Sequence, residues 1–217
     1  LGLQLRHLYI DIDRKRQLPE HHPIVLLDDK ILSLFGGTRV AAVALEVKRG
    51  DIFTKKTLEK IQRITEAVLE LPGVLPANVW SITQKKVKHL KASSDGVEIT
   101  PLIGEIPDKP EDLDVIRART LSDPLFTPLL VSKDGRIAAI VMDFEVGTPE
   151  KPGPKDPAIH AALEAIAAKE RDTETEVHMG GIPVVLSLLD VYSRNMFLLF
   201  SIATLVIALI HYEAFRT

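Results

Sequence analysis

Adjacent histidines at His21 and His22 are the first residues of this sequence with the chemistry to hold a metal ion. Neighbouring side chains seldom point at one ion, and no third His or carboxylate stands at helical or finger spacing from them, so no metal site is expected. The carboxylate pairs Asp11/Asp13 and Asp28/Asp29 have the composition of a general acid-base couple. The first pair is on an extended leading segment and the second on an exposed helix, where solvated carboxylates are the ordinary outcome. Ser187 and Ser201 lack the strand-turn-helix context of a nucleophile elbow, and Gly36-Gly37 and Gly180-Gly181 lack the lysine and spacing of a phosphate loop. The residues therefore offer no catalytic group and no cofactor site. Lys85, Lys86, Lys88 and Lys91, with His89 among them, form a basic cluster with two readings. It would suit anionic lipid head groups, or it is a hairpin edge whose lysines discourage pairing with another strand.

Composition narrows the field further. The 217 residues carry 27 Lys and Arg against 30 Asp and Glu, a net charge of −3, which lacks the concentrated basic surface that neutralises nucleic-acid phosphates. With no cysteine, disulfides, thiolate metal sites and cysteine nucleophiles are excluded.

The elements that would position these residues follow from periodicity. Residues 1–37 read as an extended leading segment and, over 24–35, a short helix with Leu27, Ile31 and Leu34 on one face. Residues 38–48 alternate as a strand. Thr54 caps a helix over 55–71 whose apolar stripe is Leu58, Ile61, Ile64, Val68 and Leu71, and Pro72-Gly73 ends it. A strand over 74–83 completes a strand-helix-strand unit at 38–83. An insertion at 84–136 holds a hairpin (87–92 and 97–103), a short helix over 110–121 and a strand at 129–132. A second strand-helix-strand unit spans 137–180, with its helix over 158–171 and a proline-rich loop over 147–157 before it. The fold class expected is α+β, a ferredoxin-like split βαβ domain over 38–183 with the hairpin inserted. Val43, Leu45, Leu58, Ile61, Ile140 and Phe144 are its predicted core.

Residues 184–217 are of another kind. No charge interrupts 196–210, and ten of those fifteen residues are Leu, Ile, Val or Phe, worth about 3 to 6 kcal/mol of bilayer insertion. With Asn195 and the His211, Tyr212 and Phe215 end, the span 195–215 reaches the roughly 20 residues that a bilayer requires. Its membrane-spanning residues are Met196, Phe197, Leu198, Leu199, Phe200, Ile202, Leu205, Val206, Ile207, Leu209 and Ile210. Ser201, Thr204 and Ala208 make one side small, which suits packing against other helices. The competing reading is a buried core helix of a soluble domain. Because no Pro or Gly follows Pro183, one unbroken helix is expected over 184–215.

The order of short motifs adds a resemblance. Leu18-Pro-Glu-His-His-Pro, Phe35-Gly-Gly, Gly50-Asp-Ile-Phe-Thr, Leu71-Pro-Gly-Val, Asp123-Pro-Leu-Phe, Val131-Ser-Lys-Asp-Gly-Arg, Gly181-Ile-Pro-Val and a closing apolar helix resemble the resistance-nodulation-division superfamily of exporters. The likeness is to its lipid-exporter branch, with the mycobacterial large membrane proteins and hopanoid transporters. The resemblance implies a first periplasmic porter domain, residues 1 to about 190, and transmembrane helix two, in a piece of a larger inner-membrane protein. It implies proton-driven outward movement of hydrophobic or lipid-like molecules, with the bilayer, the remaining transmembrane helices and a second porter domain as partners, and no nucleic acid. The family's proton-relay residues belong to a helix outside these residues, and no substrate-binding residue can be assigned. A membrane-tethered periplasmic sensor or ligand-binding module is the alternative function.

Overall fold

The computed structural model describes residues 18–19, 21–35, 39–93, 96–147 and 153–216. Asp11, Asp13 and Gly36-Gly37 lie outside the described residues. Contacts divide the chain into two units, one of residues 37–184 and one combining residues up to 36 with those from 185 onward.

In the first unit the central strand is β1 (Val40–Val47). Its alternation puts Ala41, Val43, Leu45 and Val47 on a buried face, as a half-covered strand demands. Strand β4 (Ile137–Asp143) lies antiparallel on one side, with Val43 opposite Ile140, and β5 (Thr175–Gly181) antiparallel on the other, with Val43 opposite Met179. Helix α2 (Lys55–Leu69) is capped by Thr54, whose hydroxyl accepts from the Thr57 N–H at 3.2 Å. It buries Leu58, Ile61, Ile64 and Val68 in one core with Ile159, Leu163 and Ile166 of α4 (Asp156–Glu170). All six predicted core residues are buried there. The result is a mixed α/β unit on a small antiparallel sheet, followed by an apolar helix.

Several expected elements take another form. Residues 74–83 do not make a continuous strand. Val74 bridges Phe144 and Trp80 bridges Val141, with a 3-10 turn, Pro76–Asn78, between. Pro76 has no N–H to give a ladder and its ring fixes φ, so the chain leaves the sheet for one turn and rejoins it. The strand expected at 129–132 reduces to one bridge, Val131 to Ala138. Leu130 and Val131 both donate to the Phe126 carbonyl, at 2.7 and 3.0 Å, which curls the backbone. Strands β2 (Lys88–Ser93) and β3 (Gly96–Pro101) form a separate hairpin, and α3 (Pro110–Ser122) buries only Ile116 and Thr120.

The strand-helix-strand segments at 38–83 and 137–180 are interleaved, because β1 pairs with both β4 and β5. Opening a cleft there would break backbone ladder bonds in the middle of a sheet.

Helix α1 (Pro23–Phe35) forms over the expected residues, with Leu27 and Ile31 exposed and Val25 buried. Leu34 falls outside the described side chains.

Candidate functional site

Helix α5 (Ile182–Ala214) is unbroken over 33 residues, about 50 Å at the helical rise. Gly180 and Gly181 both belong to β5, and the helix begins at the next residue. Gly181 makes this abrupt change possible. Its φ is +109°, and a Cβ would stand 2.3 Å from the Val40 carbonyl oxygen and 2.6 Å from the Ala41 Cα. Pro183, in the first turn, withholds an N–H that has no helical partner in any case.

The eleven large apolar residues assigned to the span between Met196 and Ile210 are 48 % to 73 % exposed. A core helix would bury them, so this surface is built for an apolar surrounding. The segment's polar atoms are satisfied within the helix, as lipid requires. Ser201 donates to the Phe197 carbonyl and Thr204 to the Phe200 carbonyl, both at 2.8 Å, and His211 Nδ1 lies 3.1 Å from the Ile207 carbonyl. Ion pairs flank the run: Asp190 with Arg194 at 2.9 Å on one side, Glu213 with Arg216 at 3.6 Å on the other.

Among the remaining candidate residues, His22 and Lys86 serve local structure. His22 Nδ1 accepts from the Ile24 N–H at 3.3 Å, capping α1, while His21 is exposed. The lysine cluster does not act as one surface. Lys86 turns back to the carbonyls of Pro76 and Ala77 and lies over the Trp80 ring, 4.5 Å from its centroid. Burial holds its ammonium below the ordinary lysine value. Lys85 and Lys88 are exposed, and the Lys91 side chain is not among those described.

Among the described residues, two of the cavities open on the first unit. One, of about 510 Å³, lies at the start of α2 beside Lys48, Arg49, Lys56, Lys60 and Glu174. The other, of about 320 Å³, lies between α2 and the base of the hairpin, beside Thr65, Leu69, Gln84 and Ile103. The feature that sequence reasoning missed is the ion-paired seam beside the larger cavity. Lys60 on α2 donates to Asp172 at 2.6 Å, and the Asp172 carboxyl is held well below the usual carboxylate range by that bond, then by the Thr175 hydroxyl. A lysine beside the apolar stripe of α2, with an Asp just after α4, was its signal.

Residues 49–216 match the MMPL family. The chain belongs to that family. The match begins just after β1 and runs through α5, so the MMPL pattern takes in most of the α/β unit together with the apolar helix. No curated protein matches the chain. Membership places this MMPL chain in the resistance-nodulation-division group that its motif order resembles, and with α5 it marks a transport-related membrane protein.

Proposed function

We propose that this chain is part of a proton-driven exporter of lipids or other hydrophobic molecules, in which the α/β unit forms part of the periplasmic substrate passage. The observation that carries the reading is that one family match covers both most of the folded unit and a helix long and apolar enough to cross a membrane. In this reading α5 is transmembrane helix two in the inner membrane, residues 1 to about 190 are periplasmic, and further helices and a second porter domain complete the transporter. The protein moves its substrate and breaks no bond in it.

The porter domain is ferredoxin-like in this proposal. Counting the bridged segment around Val74 and Trp80 as a degenerate fourth strand gives the spatial order of that segment, β4, β1, β5, all antiparallel, which suits a split βαβ. Such a sheet moves as one body, so passage would open by rigid displacement of the whole unit against its neighbours.

The test is export of a fluorescent lipid by the full-length protein in oriented membrane vesicles with an imposed proton gradient. Gradient-dependent movement that a protonophore abolishes is expected. Export that persists after the gradient collapses overturns the coupling, and a full-length gene joining one span to a signalling domain overturns transport itself.

A further inference from the structure

The cavity at the start of α2, about 510 Å³, has the size of a small-ligand pocket. Four cations, Lys48, Arg49, Lys56 and Lys60, line it against two acids, Asp51 and Glu174, on a chain whose net charge is −3. The groups just behind the wall do not cancel that excess. Glu176 lies 3.3 Å from Lys48 and Asp172 2.6 Å from Lys60, but Arg117 holds Asp51 at 2.8 Å, and Arg136 donates to the Val47 and Lys48 carbonyls at 3.0 and 3.1 Å. With Glu46, 4.0 Å from Arg136, included as well, the neighbourhood is still positive.

The cations differ in what they are free to do. Lys60 is spent on Asp172, Thr175 and the Glu170 carbonyl. Lys48 and Lys56 hold half-exposed or exposed acids, pairs that water already screens and that an incoming anion can displace. Arg49 is exposed and, among the described residues, has no hydrogen bond and no ion pair. The backbone that carries it is nevertheless fixed. Arg136 grips the two carbonyls ahead of it, Gly50 turns the chain at a φ of +76°, and the Ile52 N–H donates to the Gly135 carbonyl at 2.9 Å. An unpaired guanidinium on a held loop loses little freedom when it binds.

We infer that this cavity binds a phosphate group, with Arg49 as its principal ligand and Lys48 and Lys56 beside it. The cations reach the cavity from two elements, Lys48 and Arg49 from the loop after β1 and Lys56 from the first turn of α2. That suits a tetrahedral anion, whose oxygens point several ways, better than a planar carboxylate that one arginine fork would satisfy. A lipid head group and a free phosphate share this chemistry. The inference does not depend on transport or on α5 crossing a membrane.

The test is calorimetric titration of the full chain in neutral detergent micelles, in one arm with inorganic phosphate and in the other with phosphatidic acid, phosphatidylcholine serving as the blank. Saturable binding is expected, weaker by about ten-fold in Arg49→Gln and several-fold in Lys48→Gln. Lys85→Gln removes the same charge from an exposed position outside this cavity and should leave binding unchanged. This pattern with inorganic phosphate assigns a free anion as the ligand, and the same pattern with phosphatidic acid alone assigns a lipid head group. If neither probe saturates, or if Lys85→Gln weakens binding as much as Arg49→Gln does, the site does not exist and only overall charge is being read.

Discussion

Lys60 Nζ stands 2.6 Å from Asp172 Oδ2, with the lysine side chain only 7 % exposed and the aspartate 33 %. The same ammonium donates to the Thr175 hydroxyl at 2.8 Å and the Glu170 carbonyl at 3.2 Å, so its three donors are used. This fastens the middle of α2 to the turn between α4 and β5. The two partners are not equivalent. Asp172→Ala strands a buried cation, the case in which breaking a pair costs about 3 to 5 kcal/mol, with the lower end expected because the aspartate is partly solvated. Lys60→Met removes the buried charge and leaves a carboxylate that still accepts from the backbone N–H groups of Glu174 and Thr175, both at 2.9 Å. It should cost distinctly less. Urea unfolding followed through Trp80, the single tryptophan, measures both; equal losses would contradict the asymmetry.

The same carboxylate predicts a pH dependence. Its folded pKa is depressed, first by Lys60, then by the Thr175 hydroxyl. The unfolded value is about 3.9, so its contribution is fully present above about pH 5 and is lost as pH falls through the folded pKa. Stability should therefore decline below about pH 5, more steeply in the wild type than in Asp172→Asn, which has no proton to take up there. Parallel curves for the two proteins between about pH 5 and 3 would show that another group controls the acid limb.

Gly181 and Gly180 provide a matched pair. A methyl at Gly181 meets β1 backbone at 2.3 Å on top of a φ that L-residues avoid, whereas one at Gly180 meets nothing within 4 Å. Gly181→Ala should cost at least the 1 to 3 kcal/mol or so of a strained backbone, plus displacement of β1, and Gly180→Ala should stay within about 0.5 kcal/mol. Thermal unfolding of the two variants side by side decides it. Similar melting temperatures would mean that the strand-to-helix junction is not as tight as its geometry shows.

Leu58→Ala tests the core through the helix stripe. Leu58 is fully buried in the cluster that joins α2 to the sheet, and truncation there should cost about 2 to 5 kcal/mol through lost transfer energy and the remaining cavity. A loss under about half a kilocalorie would mean that the site collapses without penalty.

Leu58 also shows what was legible in the sequence. Periodicities of 2 and 3.6 report which face of an element is buried, and they placed Val43, Leu45, Leu58, Ile61, Ile140 and Phe144 in the core. The same signal grouped Leu27 and Ile31 of α1 on one face without saying what covers it, because an exposed Leu27 and a core Leu27 have the same spacing. Periodicity also has no term for backbone donors, which is why Pro76 and the shared Phe126 carbonyl turned two expected strands into bridges. Strand adjacency was the larger omission. That β1 pairs on both sides is a property of three distant segments, and no local pattern in 40–47 announces it. The Lys60 seam was missed for a related reason, since its partners are more than 100 residues away in sequence.

The apolar run of α5 gives the last prediction. Ten strongly apolar residues favour insertion by about 3 to 6 kcal/mol, and one arginine near the centre of a span costs about 2.5 to 3.5 kcal/mol on the same scale. Leu205→Arg should therefore cancel half or more of the driving force. Leu188 lies on the same helix but outside the uncharged run, within the stretch that already carries Asp190 and Arg194. An arginine there adds a charge where charges already stand, so Leu188→Arg should leave insertion unchanged. Retention of each variant in alkali-washed membranes reads the difference, and full retention of Leu205→Arg would mean that these residues are held by packing against protein instead of by lipid.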